Sequence, residues 1–182
     1  MSMRIVSLSK DELLRLLKVA KNHSENDWLL IATTFVHGLR ASEAIAIIGK
    51  DVQDGYLTVE RLKGSEKTVQ PLISHNESLL NYKDALIKRS KDFQDRPLFD
   101  ISRYDFYHLM RKYGAEAGIA RHKCKPHALK HSCATFAINN GVTIDKVKAH
   151  LGHKSLSSTG AYLRVSDDTA MKAFADAMGG SI

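Results

Sequence analysis

The sequence predicts a mainly α-helical domain with a small antiparallel β-sheet, and three observations support that class. Apolar residues recur at helical spacing, from Leu13, Leu16, Leu17 and Ala20 to Phe106, Leu109, Met110 and Tyr113. One short region breaks that period, where the turn signals Asp54-Gly55 and Lys63-Gly64 bracket an alternating run through Tyr56, Thr58 and Arg61. With 182 residues, 43% of them hydrophobic, the chain can build one sizeable core and has little room for a second domain.

The elements follow in order. Ser9 and Glu12 have capping-box spacing ahead of Leu13, Leu14, Leu16, Leu17 and Ala20, which opens a first helix. Residues 28–36 read as a second, buried helix that ends at Gly38, because a residue without a Cβ can leave a helix through the left-handed region. That exit leads into Arg40 and a third helix over 41–48. The turn signals then delimit a small antiparallel sheet whose last strand covers 68–73, with Pro71 suited to an edge or a strand end because it cannot donate to a central ladder. A helix of mixed polarity is expected over 77–91. Ser102 and Asp105 cap another, which faces Phe106, Leu109, Met110 and Tyr113 inward and Arg111 and Lys112 outward before ending at Gly118. Arg121, His122, Lys123 and Lys125 form a basic loop ahead of Pro126, whose fixed φ suits a first helical turn. A helix over 127–139 stops at Asn140-Gly141, a short one covers 143–150, and Gly152 separates it from the segment carrying Tyr162. A weakly amphipathic helix over 167–178 carries Met171, Phe174, Ala175 and Met178.

Composition narrows the class of partner. Lys and Arg total 27 against 20 Asp and Glu, a formal charge of +7 that favours polyanions without selecting one. Cys124 and Cys133 form no disulfide pattern and are too few for a cysteine-based zinc site, so a reducing, cytoplasmic setting and no metal are expected. No apolar run reaches the length of a secretion signal or a membrane span, which argues against a membrane partner. Internal repeats, heptads and low-complexity tracts are not apparent in the sequence.

The chemistry resides in three motifs: G-L-R-A-S-E from Gly38 to Glu43, H-A-L-K-H from His127 to His131, and L-G-H ending at His153, with Tyr162 nine residues later. They supply a tyrosine, two basic side chains and several histidines, a set suited to attacking a phosphodiester without a metal or another cofactor. In this order, with the lysine hairpin R-L-K-G-S-E-K between the first two, they resemble the catalytic domain of the tyrosine recombinases, or phage integrases. The resemblance runs over roughly residues 9–178, and only the combination is specific.

The resemblance implies a division of labour. Tyr162 is the nucleophile, and its phenol, with an ordinary pKa of about 10, needs nearby cations to react at neutral pH. Arg40 donates its planar fork to a non-bridging phosphate oxygen, with Glu43 orienting it; the bland alternative for Arg40 is a surface helix cap. Lys63 protonates the 5′ leaving oxygen from the hairpin tip, with Lys67 as its rival across the turn and a solvated turn lysine as the bland alternative. His127 is a phosphate donor or proton-transfer partner and His153 a second histidine donor at the scissile phosphate, whereas His131 is expected as a hydrogen-bonded core residue. The family's box normally reads H-x-x-R, and Lys130 stands at the arginine position. Lysine keeps the charge but loses the bidentate fork, in a lysine-containing branch, a degenerate relative or an engineered variant. Arg164 is either a further cation or a surface group.

Arg121, Lys123, Lys125 and Lys154 are candidate phosphate contacts that position DNA without reading bases. The expected partner is duplex DNA with a specific crossover site. The expected reaction is site-specific recombination through a 3′-phosphotyrosyl intermediate, in phage or mobile-element integration or excision. A catalytically impaired DNA-binding relative and a topoisomerase IB-like or telomere-resolving enzyme are the alternatives. The chain reads as one catalytic domain over 1–182, without the N-terminal core-binding domain usual in the family. The final helix resembles the family's exchange element, with packing of Phe174 and Met178 within the same chain as the bland alternative; a tetramer is expected for a full-length form on DNA and a monomer for the isolated domain.

Overall fold

The computed structural model describes residues 6–62 and 65–153. Lys63, Lys154, Tyr162, Arg164 and the helix expected over 167–178 lie outside the described residues. The architecture is mainly helical with one three-stranded antiparallel sheet, as the periodicity predicts.

Helix α1 (Lys10–His23) begins with the expected capping box: Ser9 Oγ accepts from the Glu12 N–H, and the Glu12 carboxylate accepts from the Ser9 N–H. It buries Leu13, Leu16, Leu17 and Ala20, while Leu14 is half-buried. Helix α2 (Glu25–Val36) buries every residue from Trp28 to Phe35 and lies between α1 and α6 (Pro126–Asn139), which explains why its sequence shows no polar face. Helix α3 (Ala41–Ala46) is shorter than the expected 41–48. Ile47 turns extended, and its carbonyl accepts from the Leu98 N–H at 2.7 Å, while Ile48 forms a bridge with Pro97.

Strands β1 (Val52–Gln53), β2 (Tyr56–Val59) and β3 (Thr68–Pro71) pair antiparallel in sequence order, with Asp54 and Gly55, both at positive φ, making the first turn. Strand β3 stops at Pro71 rather than at residue 73. The helix expected over 77–91 divides into a 3₁₀ turn (Ser78–Leu80) and α4 (Lys83–Phe93). The break releases Tyr82 inward, where its hydroxyl meets His37 Nε2 at 2.7 Å while His37 Nδ1 meets Gln70 Oε1 at 2.6 Å. Burial pulls His37 down to about 3, so the ring is neutral, with Nδ1–H donating to the glutamine and Tyr82 O–H donating to Nε2.

Helix α5 (Arg103–Glu116) buries Phe106, Met110 and Tyr113 as predicted, with Leu109 packed partly against the same core. Helix α6 begins at Pro126, and α7 (Ile144–Leu151) ends at Gly152 in the left-handed region. Ala134 and Ile138 of α6 pack against Val147 and Leu151 of α7 in a small second cluster. Both cysteines are free and buried, and among the described residues no helix is long and apolar enough to cross a membrane.

Candidate active site

Two motif glycines let three segments meet. Gly38 leaves α2 at φ 58°, and a Cβ there would come within 2.5 Å of Leu151 Cδ2 at the end of α7. Gly152 adopts φ 68°, and a Cβ there would come within 2.7 Å of the Glu66 carbonyl and 2.8 Å of Arg61 Cγ. The end of α7 therefore packs closely on the turn carrying Arg40 through the Leu151 side chain, and on the β2–β3 hairpin through the Glu66 carbonyl and the Arg61 side chain.

Arg40 caps α3, its N–H donating to Glu43 Oε2 at 2.8 Å and its Nη1 donating to Glu43 Oε1 at 2.6 Å. The Glu43 side chain is fully buried, and the Arg40 side chain remains 25% exposed. Burial alone would raise the Glu43 carboxyl. The Arg40 N–H and the Lys130 and Arg61 cations outweigh that effect and hold it below the usual carboxylate range. Glu43 thus stays ionised and fixes Arg40 without facing solvent.

Arg40 opens onto a cleft of about 610 Å³ whose wall also carries Arg103, Tyr104, Tyr107, Lys125 and His127. His127 is exposed on the first turn of α6, and its ring meets that of His131 edge-on with centroids 4.2 Å apart. One turn on, Lys130 is buried and its Nζ donates to the Gly38 carbonyl at 3.0 Å. Burial pulls this ammonium down to about 7; the Glu43 carboxylate opposes the fall, and the Arg61 and Arg40 charges add to it. The histidines respond to the same environment. His153 falls to about 4, through burial first and then the Lys130, Arg40 and Arg61 charges, and His131 also falls to about 4 through burial and its charged neighbours. His127 is lowered by burial and by Lys130, Lys125 and Arg40. Neutral imidazoles can donate one N–H and accept at the other nitrogen, which suits proton transfer as well as phosphate binding.

The structure thus brings Arg40, Glu43, His127, Lys130 and His153 into one electrostatically coupled group, with Lys125 on the same cleft wall. Other expected phosphate contacts are placed elsewhere. Lys123 Nζ binds both Glu12 carboxylate oxygens, at 2.9 and 2.8 Å, and Arg121 borders a separate depression with Arg111 and Cys124. His131, expected in the core, is half-buried against His127. Among the described residues no cluster of His, Cys, Asp or Glu is arranged to hold a metal ion.

Arg61 is the residue that the sequence reading misplaced. Tyr56 and Thr58 alternate outward, but Arg61 has the parity of Leu57 and Val59, and all three are buried. Its guanidinium donates to Glu43 Oε2, to Thr68 Oγ1 and to the carbonyls of His37, Gly38 and His150. The sequence held the signal: a charged residue stands on the inward parity of a strand. The cleft-lining residues of α5, Arg103, Tyr104 and Tyr107, carried no comparable signal.

Comparison with known proteins follows the same lines. The model of the phage integrase family matches residues 7–169. The tyrosine recombinase XerA of Pyrococcus furiosus is 30% identical over 168 residues, which cover 87% of this chain and 57% of that protein. The type 1 fimbriae regulatory protein FimB of Escherichia coli K12 is 30% identical over 164 residues, covering 84% of this chain and 80% of that one. Among solved structures, the XerH site-specific recombinase bound to palindromic difH substrate superposes with a TM-score of 0.71 at 24% identity, covering 94% of this chain and 53% of that one. The chain therefore spans little more than half the length of the XerA relative.

Proposed function

We propose that this chain, which belongs to the phage integrase family, cuts and rejoins duplex DNA at a specific crossover site through a covalent bond to Tyr162. The observation that carries this reading is that Lys130 is bonded to the Gly38 carbonyl of the turn that presents Arg40, with His127 on the wall of the Arg40 cleft and His153 under the influence of both charges. That grouping supplies positive charge and neutral proton carriers at the edge of an open, basic cleft.

In this mechanism the Tyr162 oxygen attacks phosphorus, the bond from phosphorus to the 5′ oxygen breaks, and a 3′-phosphotyrosyl bond conserves the energy of the linkage. The phenol gives up its proton to the free nitrogen of a neutral imidazole of the site, and Lys63 delivers one to the departing 5′ oxygen. Attack by a partner strand's 5′ hydroxyl reverses the sequence. Arg40 directs two N–H donors at a non-bridging oxygen, pre-set by Glu43. Lys130 acts as a point charge; the phosphate's negative charge opposes the burial that discharges it, so the ammonium is restored when substrate binds. His127 and His153 donate N–H groups to the developing pentacovalent charge.

The same reading extends to integration or excision of a phage or mobile element and to assembly of four copies on DNA. A second reading has one specific observation in its favour: Lys130 is turned onto the Gly38 carbonyl, which suits a weakened clamp that binds DNA and cleaves it slowly. Incubation with a nicked suicide duplex, resolved by denaturing electrophoresis, separates the two. A covalent adduct that disappears in Tyr162→Phe supports cleavage, whereas salt-sensitive binding without an adduct supports the impaired form.

A further inference from the structure

We infer that Arg61 is a positioning residue for strand cleavage, holding Arg40 and Lys130 in their working geometry through Glu43 and the Gly38 carbonyl. The inference rests on the cleavage reading above. Arg61 cannot touch DNA itself, because its side chain is fully buried.

All five guanidinium N–H groups have a partner. Nε donates to Thr68 Oγ1 at 3.1 Å, Nη1 to Gly38 O at 3.1 Å and to Glu43 Oε2 at 3.0 Å, and Nη2 to His37 O at 3.0 Å and to His150 O at 2.8 Å. These acceptors come from β3, the turn after α2, helix α3 and the end of α7. One planar, rigid group thus fixes the four segments that carry or adjoin the candidate catalytic residues. The end of α7 also depends on it sterically, since Arg61 Cγ lies where a Cβ at Gly152 would fall.

Two shared acceptors make the coupling to the reactive groups specific. Glu43 divides its carboxylate, with Oε1 taking the Arg40 guanidinium and Oε2 taking Arg61. Without Arg61 the full carboxylate charge falls to Arg40 and draws its fork away from the cleft. The Gly38 carbonyl likewise accepts from both Lys130 Nζ and Arg61 Nη1. Removing Arg61 leaves Lys130 as the side-chain cation on that carbonyl and binds it more firmly away from a phosphate. A buried guanidinium on the apolar parity of Leu57 and Val59 is a poor choice for stability alone, because the cost of desolvating it opposes its attraction to Glu43. The ionisable groups facing it are Glu43 and Arg40 around α3, Lys130 and Cys133 on α6, His37 after α2 and His150 on α7.

The test compares the parent with Arg61→Lys and Arg61→Gln, each alone and combined with Arg40→Ala, on a nicked suicide duplex bearing the crossover site enriched from random duplexes on the protein. Thermal melting, duplex affinity and the single-turnover rate of adduct formation are read for each. Arg61→Lys retains a charge opposite Glu43, so a folded variant is available even where Arg61→Gln fails to fold. The expected result is a cleavage rate about 10–100-fold lower with affinity within about twofold, the range typical of residues that orient catalytic groups. In the Arg40→Ala background the same change costs less than it does in the parent, because one of the two groups being positioned is gone and only the part acting through Lys130 remains. Parental cleavage by Arg61→Lys, or an undiminished loss in the Arg40→Ala background, overturns the inference alone. Absence of any Tyr162-dependent adduct from the parent overturns the cleavage reading and this inference with it.

Discussion

The Nζ of Lys130 lies 3.0 Å from the carbonyl oxygen of Gly38, so the buried cation of the histidine box is tied to the turn that presents Arg40. The residue that departs from the family pattern is therefore integrated into the site, and its charge state depends on what else occupies that site. Burial lowers the ammonium to about 7, and a bound phosphate acts in the opposite direction.

On the proposed function, DNA binding at pH 8 is expected to take up protons. Titration calorimetry in buffers of differing ionisation enthalpy is expected to report a net uptake that Lys130→Met abolishes. Equal uptake by parent and variant would assign the protons elsewhere.

The same substitution separates stability from chemistry. Removing one charge-stabilising donor costs about 10²–10³-fold in rate, whereas the fold keeps its pairings, because the Gly38 carbonyl retains the Arg61 donor and Glu43 retains Arg40 and Arg61. Lys130→Met is expected to melt near the parent and to form adduct at least about 100-fold more slowly.

Acid stability follows from His37. Its folded value of about 3 lies below the ordinary histidine value, so the unfolded chain binds more protons between about pH 6.5 and 3. The contribution of His37 to stability is then fully present above pH 6.5 and is lost as pH falls through that window. Urea denaturation at a series of pH values is expected to give a shallower acid slope for His37→Gln than for the parent.

Much of this fold was legible because its signals are local. The Ser9 capping box, the apolar run of α2 and the exit at Gly38 each depend on neighbours within a few residues. The ends of α3 and α4 were not legible, since Ile47 and Ile48 are claimed by Leu98 and Pro97, and Tyr82 by His37, across long stretches of sequence. In the candidate site, Arg40, Glu43, His127, Lys130 and His153 were expected from the resemblance to the tyrosine recombinases. The strand parity that buries Arg61 was present, but its acceptors on four segments exist only in the folded chain. Lys123 carried the right charge in the right loop, and only the structure places Glu12 against it.

That pairing distinguishes two lysines of one loop. Lys125 borders the cleft, so Lys125→Ala should weaken binding to all sequences alike and reduce the slope of log affinity against log salt by about 1. Lys123→Ala should leave that slope unchanged. Filter binding across a salt series checks both.

Close backbone approach at Gly152 predicts a stability defect. Gly152→Ala combines a left-handed φ with a Cβ 2.7 Å from the Glu66 carbonyl, and is expected to cost about 2 kcal/mol and lower the melting temperature by several degrees. Thermal melting of parent and variant at equal concentration measures it.

The covalent attachment point tests the central claim most directly. After trapping on a nicked suicide duplex, nuclease and trypsin digestion should release the peptide spanning 155–164 with a nucleotide linked through its 3′ phosphate to Tyr162, identified by fragment-ion mass spectrometry. Modification at Tyr162 is the result the mechanism requires. Attachment at any other residue, or a DNA-bound protein from which no modified peptide can be recovered, would contradict it.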